Sequence, residues 1–343
     1  MRFGRRREAT QPSVGHPVLG FWRWWNDGGH LAVTEAVTTG EYGRLPETIG
    51  RLVADIHPDL EWELGRGREA QHALIVSSGG VAQLRPLAER WLRAAPPTTT
   101  TWEFHAARQP DPGVLTAKLQ LDGYDLALSE AQVGTTVDED ADVVHVTVWH
   151  PGFPALDEAN RAQVTFLLLD WLLGEDDVER WIGSVESATV RPENATPASS
   201  LTATVAELAA RRTEPFWVLM EGSTPTGARR IATARRPLRW IDQPLLDQHN
   251  EIRLTYTDAG SDGLPSSEAL EHLRALEDDL TRLLGTRAEL LAHETGEGAR
   301  LLHVYSDSED QNVTALISDW ARRSAATASH RHDPAWRELA AFR

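Results

Sequence analysis

Between Ile252 and Arg331 the apolar residues change their period several times, and few architectures accommodate that pattern. Ile252, Leu254 and Tyr256 alternate with Arg253, Thr255 and Thr257, which predicts a strand with one buried face. From Ser266 the spacing lengthens. Leu270, Leu273, Leu276, Leu280, Leu283 and Leu284 make one stripe of a helix that Ser266 caps and Gly285 stops. Glu268 sits in the first turn, and Asp278 and Arg282 pair at i,i+4 on the outer side. Strands at about 288–294 and 300–306 follow, joined by a turn at Gly296–Gly298. A helix over 309–323 would bury Val313, Leu316, Ile317 and Trp320, and a strand runs near 326–331. The order is β-α-β-β-α-β.

The preceding half reads as a second mixed body. Strands are expected at 72–77, 101–106 and 143–149, with hairpin-like strands between 114 and 137. Helices are expected at 81–94, 158–173 and 175–187. The strand at 143–149 rests on alternation of Val144, Val146 and Val148 with His145, Thr147 and Trp149. Upstream, 45–56 reads as an amphipathic helix through Ile49, Leu52, Val53 and Ile56. The expected fold class is α+β: two α/β-sandwich bodies, the C-terminal one ferredoxin-like, preceded by a short helical Trp-rich segment. The boundaries are 1–56 for a basic disordered tail and the Trp-rich segment, and 57–187 for the N-terminal α+β domain. A Pro/Ser/Ala-rich linker and short helix take 188–213, and the C-terminal domain takes 214–343. A hairpin is expected over 216–236, turning at Thr224-Pro225-Thr226-Gly227. The two bodies share an element order, which admits an internal duplication.

Composition excludes several classes. The 343 residues carry 34 basic and 51 acidic side chains, a net charge of −17, which on average repels phosphate backbones. Nucleic acid is therefore not an expected partner. Lys118 is the only lysine and stands outside any phosphate-loop context, which also argues against Schiff-base chemistry. The arginine and alanine bias fits a bacterial genome rich in G and C. Cysteine is absent, so disulfides, thiolate metal sites and cysteine nucleophiles are ruled out. The cytoplasm is the expected compartment. The most apolar run, Val164–Leu173, is interrupted by Asp170 and is too short for a bilayer, so no membrane partner is expected.

Two segments offer sites. Ser77-Ser78-Gly79-Gly80 follows a strand and leads into a helix, so its backbone N–H groups would suit an anion; the simpler reading is a tight turn with Ser78 as cap. Trp22, Trp24 and Trp25, beside Phe21, would serve as a partner-docking surface, or pack with Trp22 and Trp25 on one face of a short helix. Other candidates are better explained without chemistry. Asp258-x-Gly260-x-Asp262-Gly263 lacks the carboxylate that a calcium loop needs at its twelfth position, which is Ala269. His330 and His332 are too few for a metal, and His145 and His150 would face opposite sides of a strand. Glu61 and Glu63 share a strand face beside Trp62, and alternation accounts for them. No serine occupies a nucleophile elbow. No catalytic residue, cofactor or metal is expected. Trp336, after Asp333-Pro334, is expected to fold back with Leu339 or Phe342 rather than dangle.

Asp258–Pro265, then SSEALEHLRALEDDL, then Asp333-Pro334-Ala335-Trp336 leading to Phe342 resemble the bacterial domain-of-unknown-function 695 family. The pattern is also similar to the ribonuclease E inhibitor B family. The latter resemblance implies a ferredoxin-like fold that binds an enzyme and dampens it without chemistry of its own. It covers about 216–343, and the tyrosine expected three residues after Trp336 is missing. The expected function is that of a non-catalytic interaction or regulatory protein with a protein partner. The alternative is a small-molecule or anion-binding protein, possibly an enzyme, with a pocket between the two halves.

Overall fold

The computed structural model describes residues 16–121, 123–211, 214–224 and 227–343. The expected tail up to residue 15 lies outside the described residues, as do Pro225 and Thr226 of the expected turn. The chain is mixed α+β and forms two compact units. One is Pro17–Thr213; the other holds Glu214–Arg343 and, of the described residues before Pro17, His16. Among the described residues no helix is long and apolar enough to cross a membrane.

In the first unit, three helices, α1 (Pro17–Trp24), α2 (His30–Thr39) and α3 (Leu45–Ala54), pack on a three-stranded sheet. That sheet comprises β1 (Glu61–Arg66), β2 (His72–Ser77) and β3 (Trp102–His105), in this order, with α4 (Arg85–Arg93) crossing between the parallel β2 and β3. The buried side joins Phe21, Trp22 and Trp25 to Trp91, Trp102 and Phe104. Nothing in the sequence reading anticipated α2. Its Thr34, Thr38 and Thr39 have low helix propensity, but Thr34 Oγ1 bonds the His30 carbonyl at 2.7 Å and accepts from Trp102 Nε1 at 2.8 Å. Tertiary packing overrides propensity there.

A two-stranded hairpin, β4 (Lys118–Leu121) and β5 (Tyr124–Ala127), precedes the second sheet of this unit. That sheet contains β6 (Gln132–Asp138) and β7 (Val143–Trp149) and is covered by α5 (Glu158–Leu173). On β7, Val144, Val146 and Val148 are buried, as their alternation requires. The helix expected over 175–187 is corrected: α6 (Glu175–Trp181) ends early and β8 (Ile182–Ala188) runs parallel to β7. Val178, Trp181, Ile182 and Val185 satisfy either period, and Gly183 decides. A Cβ there would meet the His145 ring at 2.8 Å and Val143 at 2.9 Å, so the glycine lets the chain lie against β7. The stretch read as a linker is built into the unit. β9 (Thr196–Pro197) pairs with β6, and α7 (Ser200–Ala210) buries Leu201, Val205 and Leu208 in the same core.

The second unit is one six-stranded antiparallel sheet. It contains the hairpin β10 (Phe216–Ser223) and β11 (Arg229–Arg236), then β12 (Gln248–Thr255), β13 (Ala288–Gly296), β14 (Ala299–Ser306) and β15 (Thr327–His332). The strand order is β10-β11-β13-β14-β12-β15. Two helices, α8 (Ser267–Leu284) and α9 (Gln311–Arg323), lie on the face that carries Ile252, Leu254, Leu302 and Val304. Ser266 caps α8 through the Ala269 N–H at 3.2 Å.

Alternate residues of the same strands point the other way. His249, His303 and Tyr305 are buried there beneath the C-terminal segment. Trp336 is 2% exposed, sits 5.3 Å from the Tyr305 ring and donates from Nε1 to the Leu246 carbonyl at 2.7 Å. Phe342 meets His303, and Leu339 is buried. Tyr305 donates to Asp333 at 2.6 Å; burial first, and Asp333 second, raise its hydroxyl pKa. Burial, with His249 and His293 adding, holds His303 down to about 3. Its contribution to stability is therefore present above the ordinary histidine value and is lost as pH falls toward 3. Trp336→Ala should cost about 3 kcal/mol in urea denaturation, the scale of large-to-small core changes. An unchanged midpoint would show that the segment adds nothing to the fold.

Candidate functional site

The Ser77–Gly80 loop leaves β2 with two glycines at positive φ, +57° for Gly79 and +77° for Gly80, a conformation that turns backbone N–H groups inward. The helix after the loop begins only at Arg85, so Ser78 is not its cap. The anion the loop receives is supplied by the chain itself. Glu175, at the start of α6, accepts from Gly80 N at 2.8 Å and Ser78 Oγ at 3.0 Å on one oxygen. Its other oxygen accepts from Arg108 N at 3.2 Å. Gly79 N bonds Ser77 Oγ at 3.3 Å. Of Ser77, Ser78, Gly79 and Gly80, expected as a site for an anion, Ser78 and Gly80 meet a carboxylate of the chain itself, and Gly79 N turns back to Ser77 Oγ. Next to it, Arg85 grips Asp176 with two bonds, at 3.0 and 2.9 Å, and ties α4 to α6.

The Arg108 guanidinium fills the space beside this loop. It lies 3.1 Å from Glu63, 3.6 Å from Asp170 and 3.8 Å from Glu61. One cation thus faces three carboxyl groups, with Glu175 a fourth nearby. Burial pushes the Asp170 carboxyl up and Glu175 adds to it; Arg108 opposes them, Glu61 and Glu63 add further, and the value rises to about 6. Glu61 and Glu63, expected only as strand alternation, are therefore partners of Arg108.

The second candidate surface is closed. Trp22 and Trp25 are each 3% exposed, and Trp22 Nε1 donates to the Trp91 carbonyl at 2.8 Å. Trp24 is half-buried and packs on Phe21 and Trp25. These rings are core, so a docking role for Trp22 and Trp25 is corrected. The histidines singled out above also have protein partners. His150 Nε2 meets the Ala127 carbonyl, and His145 Nδ1 accepts from Ser184 N. His330 contacts Asn250 and Ser318, and His332 lies 3.4 Å from Asp247. Asp258 bonds Ser266, and Asp262 pairs with Arg229 at 3.1 Å. Among the described residues no group of three or more His, Asp or Glu is arranged to hold a metal.

Two features escaped the sequence reading. A cleft of about 560 Å³ lies within the first unit, lined by Arg68, Thr98, Glu103, His105 and Gln109 among others. Glu103 is buried at its base and accepts from the N–H groups of Arg68, Glu69 and Ala70, each at 2.8 Å, and contacts His105 Nε2 at 2.9 Å. Burial alone would raise this carboxyl; the Arg68 N–H, His105, and the Ala70 and Glu69 N–H groups outweigh it and hold it at about 2. The signal was the spacing Glu103-x-His105 on a strand, which places both on one face but does not reveal the turn that binds them. The other feature is β10, the outer strand of the second unit. It leaves Phe216, Trp217 and Leu219 exposed at 52%, 49% and 72%. No protein-family model matches the chain, and no curated protein matches it.

Asp170 supplies a pH test. A carboxyl raised in the folded state contributes stability below its ordinary value, and that contribution is lost as pH rises through about 6. Asp170→Asn should therefore gain on the wild type between pH 4 and pH 7, by about 2 kcal/mol. Parallel stability curves for the two proteins across that window would contradict the assignment.

Proposed function

We propose that this chain is a non-catalytic interaction protein, regulatory in role and acting in the bacterial cytoplasm. Its partner is a protein that adds an extended strand to β10. The carrying observation is the exposure of Phe216, Trp217 and Leu219 on an outer strand whose only charged residue is Glu221. Outer strands usually carry charges, prolines or bulges that prevent pairing, and this one presents aromatic and aliphatic side chains instead. Glu221 is itself neutralised by Arg229 at 2.7 Å.

Charge specifies the partner further. β11, directly behind β10, carries Arg229, Arg230, Arg235 and Arg236. The first three pair with acids, whereas Arg236, in register with Phe216, has no acid partner among the described residues and its pKa is lowered by burial. A strand with an acidic residue near that end and apolar residues opposite Trp217 and Leu219 fits this edge. Two copies of the chain would instead bring two arginine-rich hairpins together.

Strand order supports a ferredoxin-like reading of the second unit: β13-β14-β12-β15, all antiparallel, with α8 and α9 as the two crossovers. In that reading β10 and β11 extend the sheet at the β13 edge. The resemblance of 216–343 to the ribonuclease E inhibitor B family points to the same kind of activity, binding without chemistry.

Peptides selected from a random library against the whole chain test the proposal. The expected sequences alternate apolar residues, include an acid at one end, and slow hydrogen exchange of the β10 amides. Leu219→Lys, at an exposed position that leaves the core intact, should weaken them about tenfold, or 1.4 kcal/mol. Selected peptides that leave β10 exchange unchanged, or bind Leu219→Lys equally well, would overturn the reading.

A further inference from the structure

The cleft beside β3 carries an inference independent of β10. Its base is the Glu103–His105 pair. Glu103 is held as a carboxylate, so the nitrogen facing it, His105 Nε2, is the one that carries a proton. In the neutral ring the lone pair is then on Nδ1. That atom has no hydrogen-bond partner among the described residues, and the His105 side chain is 23% exposed. A fixed tautomer with an open acceptor is an arrangement that receives an X–H donor.

The rest of the lining narrows the ligand. Arg68 lines the cleft and its backbone N–H is bound to Glu103, while its guanidinium has no acid or carbonyl partner among the described residues. Gln109 is fixed by its Nε2 bond to the Ala107 carbonyl at 3.0 Å, which leaves its amide oxygen as an acceptor. Glu69 also lines the cleft. Glu103 is already met by three N–H groups and His105, which leaves the single arginine to match no more than one negative charge, so a multiply charged anion is disfavoured. The volume, about 560 Å³, suits a small molecule.

We propose that this cleft binds a small hydroxy monocarboxylic acid, its carboxylate on Arg68 and its hydroxyl donating to His105 Nδ1. The Glu103 carboxylate acts here as a positioning residue, fixing the tautomer through Nε2 and fixing the turn that carries Arg68 through three N–H groups. The site lies inside the first unit and needs neither β10 nor a protein partner.

The test uses the full chain with ¹⁵N-labelled histidine, observed by NMR of the ring nitrogens. In the neutral ring of unliganded His105 the proton is expected on Nε2, with Nδ1 bare. Glycolate, used as the probe, should move the Nδ1 resonance saturably. Acetate lacks the hydroxyl and ethylene glycol lacks the charge, and each should do so at least about tenfold more weakly. Arg68→Gln, at an exposed side chain, should weaken glycolate by a similar factor while leaving the His105 tautomer unchanged. Three results would overturn the proposal: an Nδ1–H tautomer in the free protein, a response linear in glycolate, or equal responses to glycolate and acetate. An Arg68→Gln protein that binds glycolate as the wild type does would remove the carboxylate contact and with it the ligand class.

Discussion

The contact on which the first unit depends is the carboxyl group of Glu175 inside the Ser77–Gly80 loop. The two glycines that follow the strand, at positive φ, are exposed, whereas Ser77, Ser78 and the Glu175 carboxyl are buried and their polar atoms must be satisfied within the protein. Glu175 satisfies Gly80, Ser78 and Arg108 together. In doing so it joins the sheet of β1–β3 to the helices over β6–β8. Arg85 with Asp176, and Arg108 with Glu63 and Asp170, reinforce the same junction. A loop geometry that elsewhere receives a ligand is used here for internal assembly.

The second unit solves a different problem. Its sheet has apolar residues on both faces, and α8 and α9 cover only one. The C-terminal segment covers the other with Trp336, Leu339 and Phe342, over a layer of His249, His303 and Tyr305. Among the described residues of this unit, the large apolar side chains left exposed, Phe216, Trp217 and Leu219, are on β10. The proposed functions follow from this contrast: polar loops and tryptophans that looked available are consumed by the fold, and an outer strand and a polar cleft are not.

Strong local periodicity made much of this legible. Val144, Val146 and Val148, the stripe from Leu270 to Leu284, and the docking of Trp336 all depend on patterns within one element or on burial of one large side chain. Where one set of residues satisfied two periods, as with Val178 to Val185, the deciding factor was the approach of Gly183 to His145 across strands, which no local window contains. Residues 188–200 looked like a linker because Pro, Ser, Thr and Ala dominate, yet β9 within them pairs with β6, and the short helix expected after them buries Leu201, Val205 and Leu208 in the same core. The chemistry of the sites was less legible. The Ser77–Gly80 loop announces an anion, but Glu175, Arg108 and Glu103 acquire their roles only from distant backbone groups.

Chemical rescue tests the central claim, that the loop is filled by the chain's own carboxyl group. Thermal unfolding would be followed for the wild type and Glu175→Ala in increasing sodium formate, with sodium chloride as the ionic-strength control. The account predicts a lowered Tm for Glu175→Ala that formate, relative to chloride, raises by more than it raises the Tm of the wild type, whose loop is already filled. A Glu175→Ala protein as stable as the wild type, or one that formate stabilises no more than it stabilises the wild type, would contradict it.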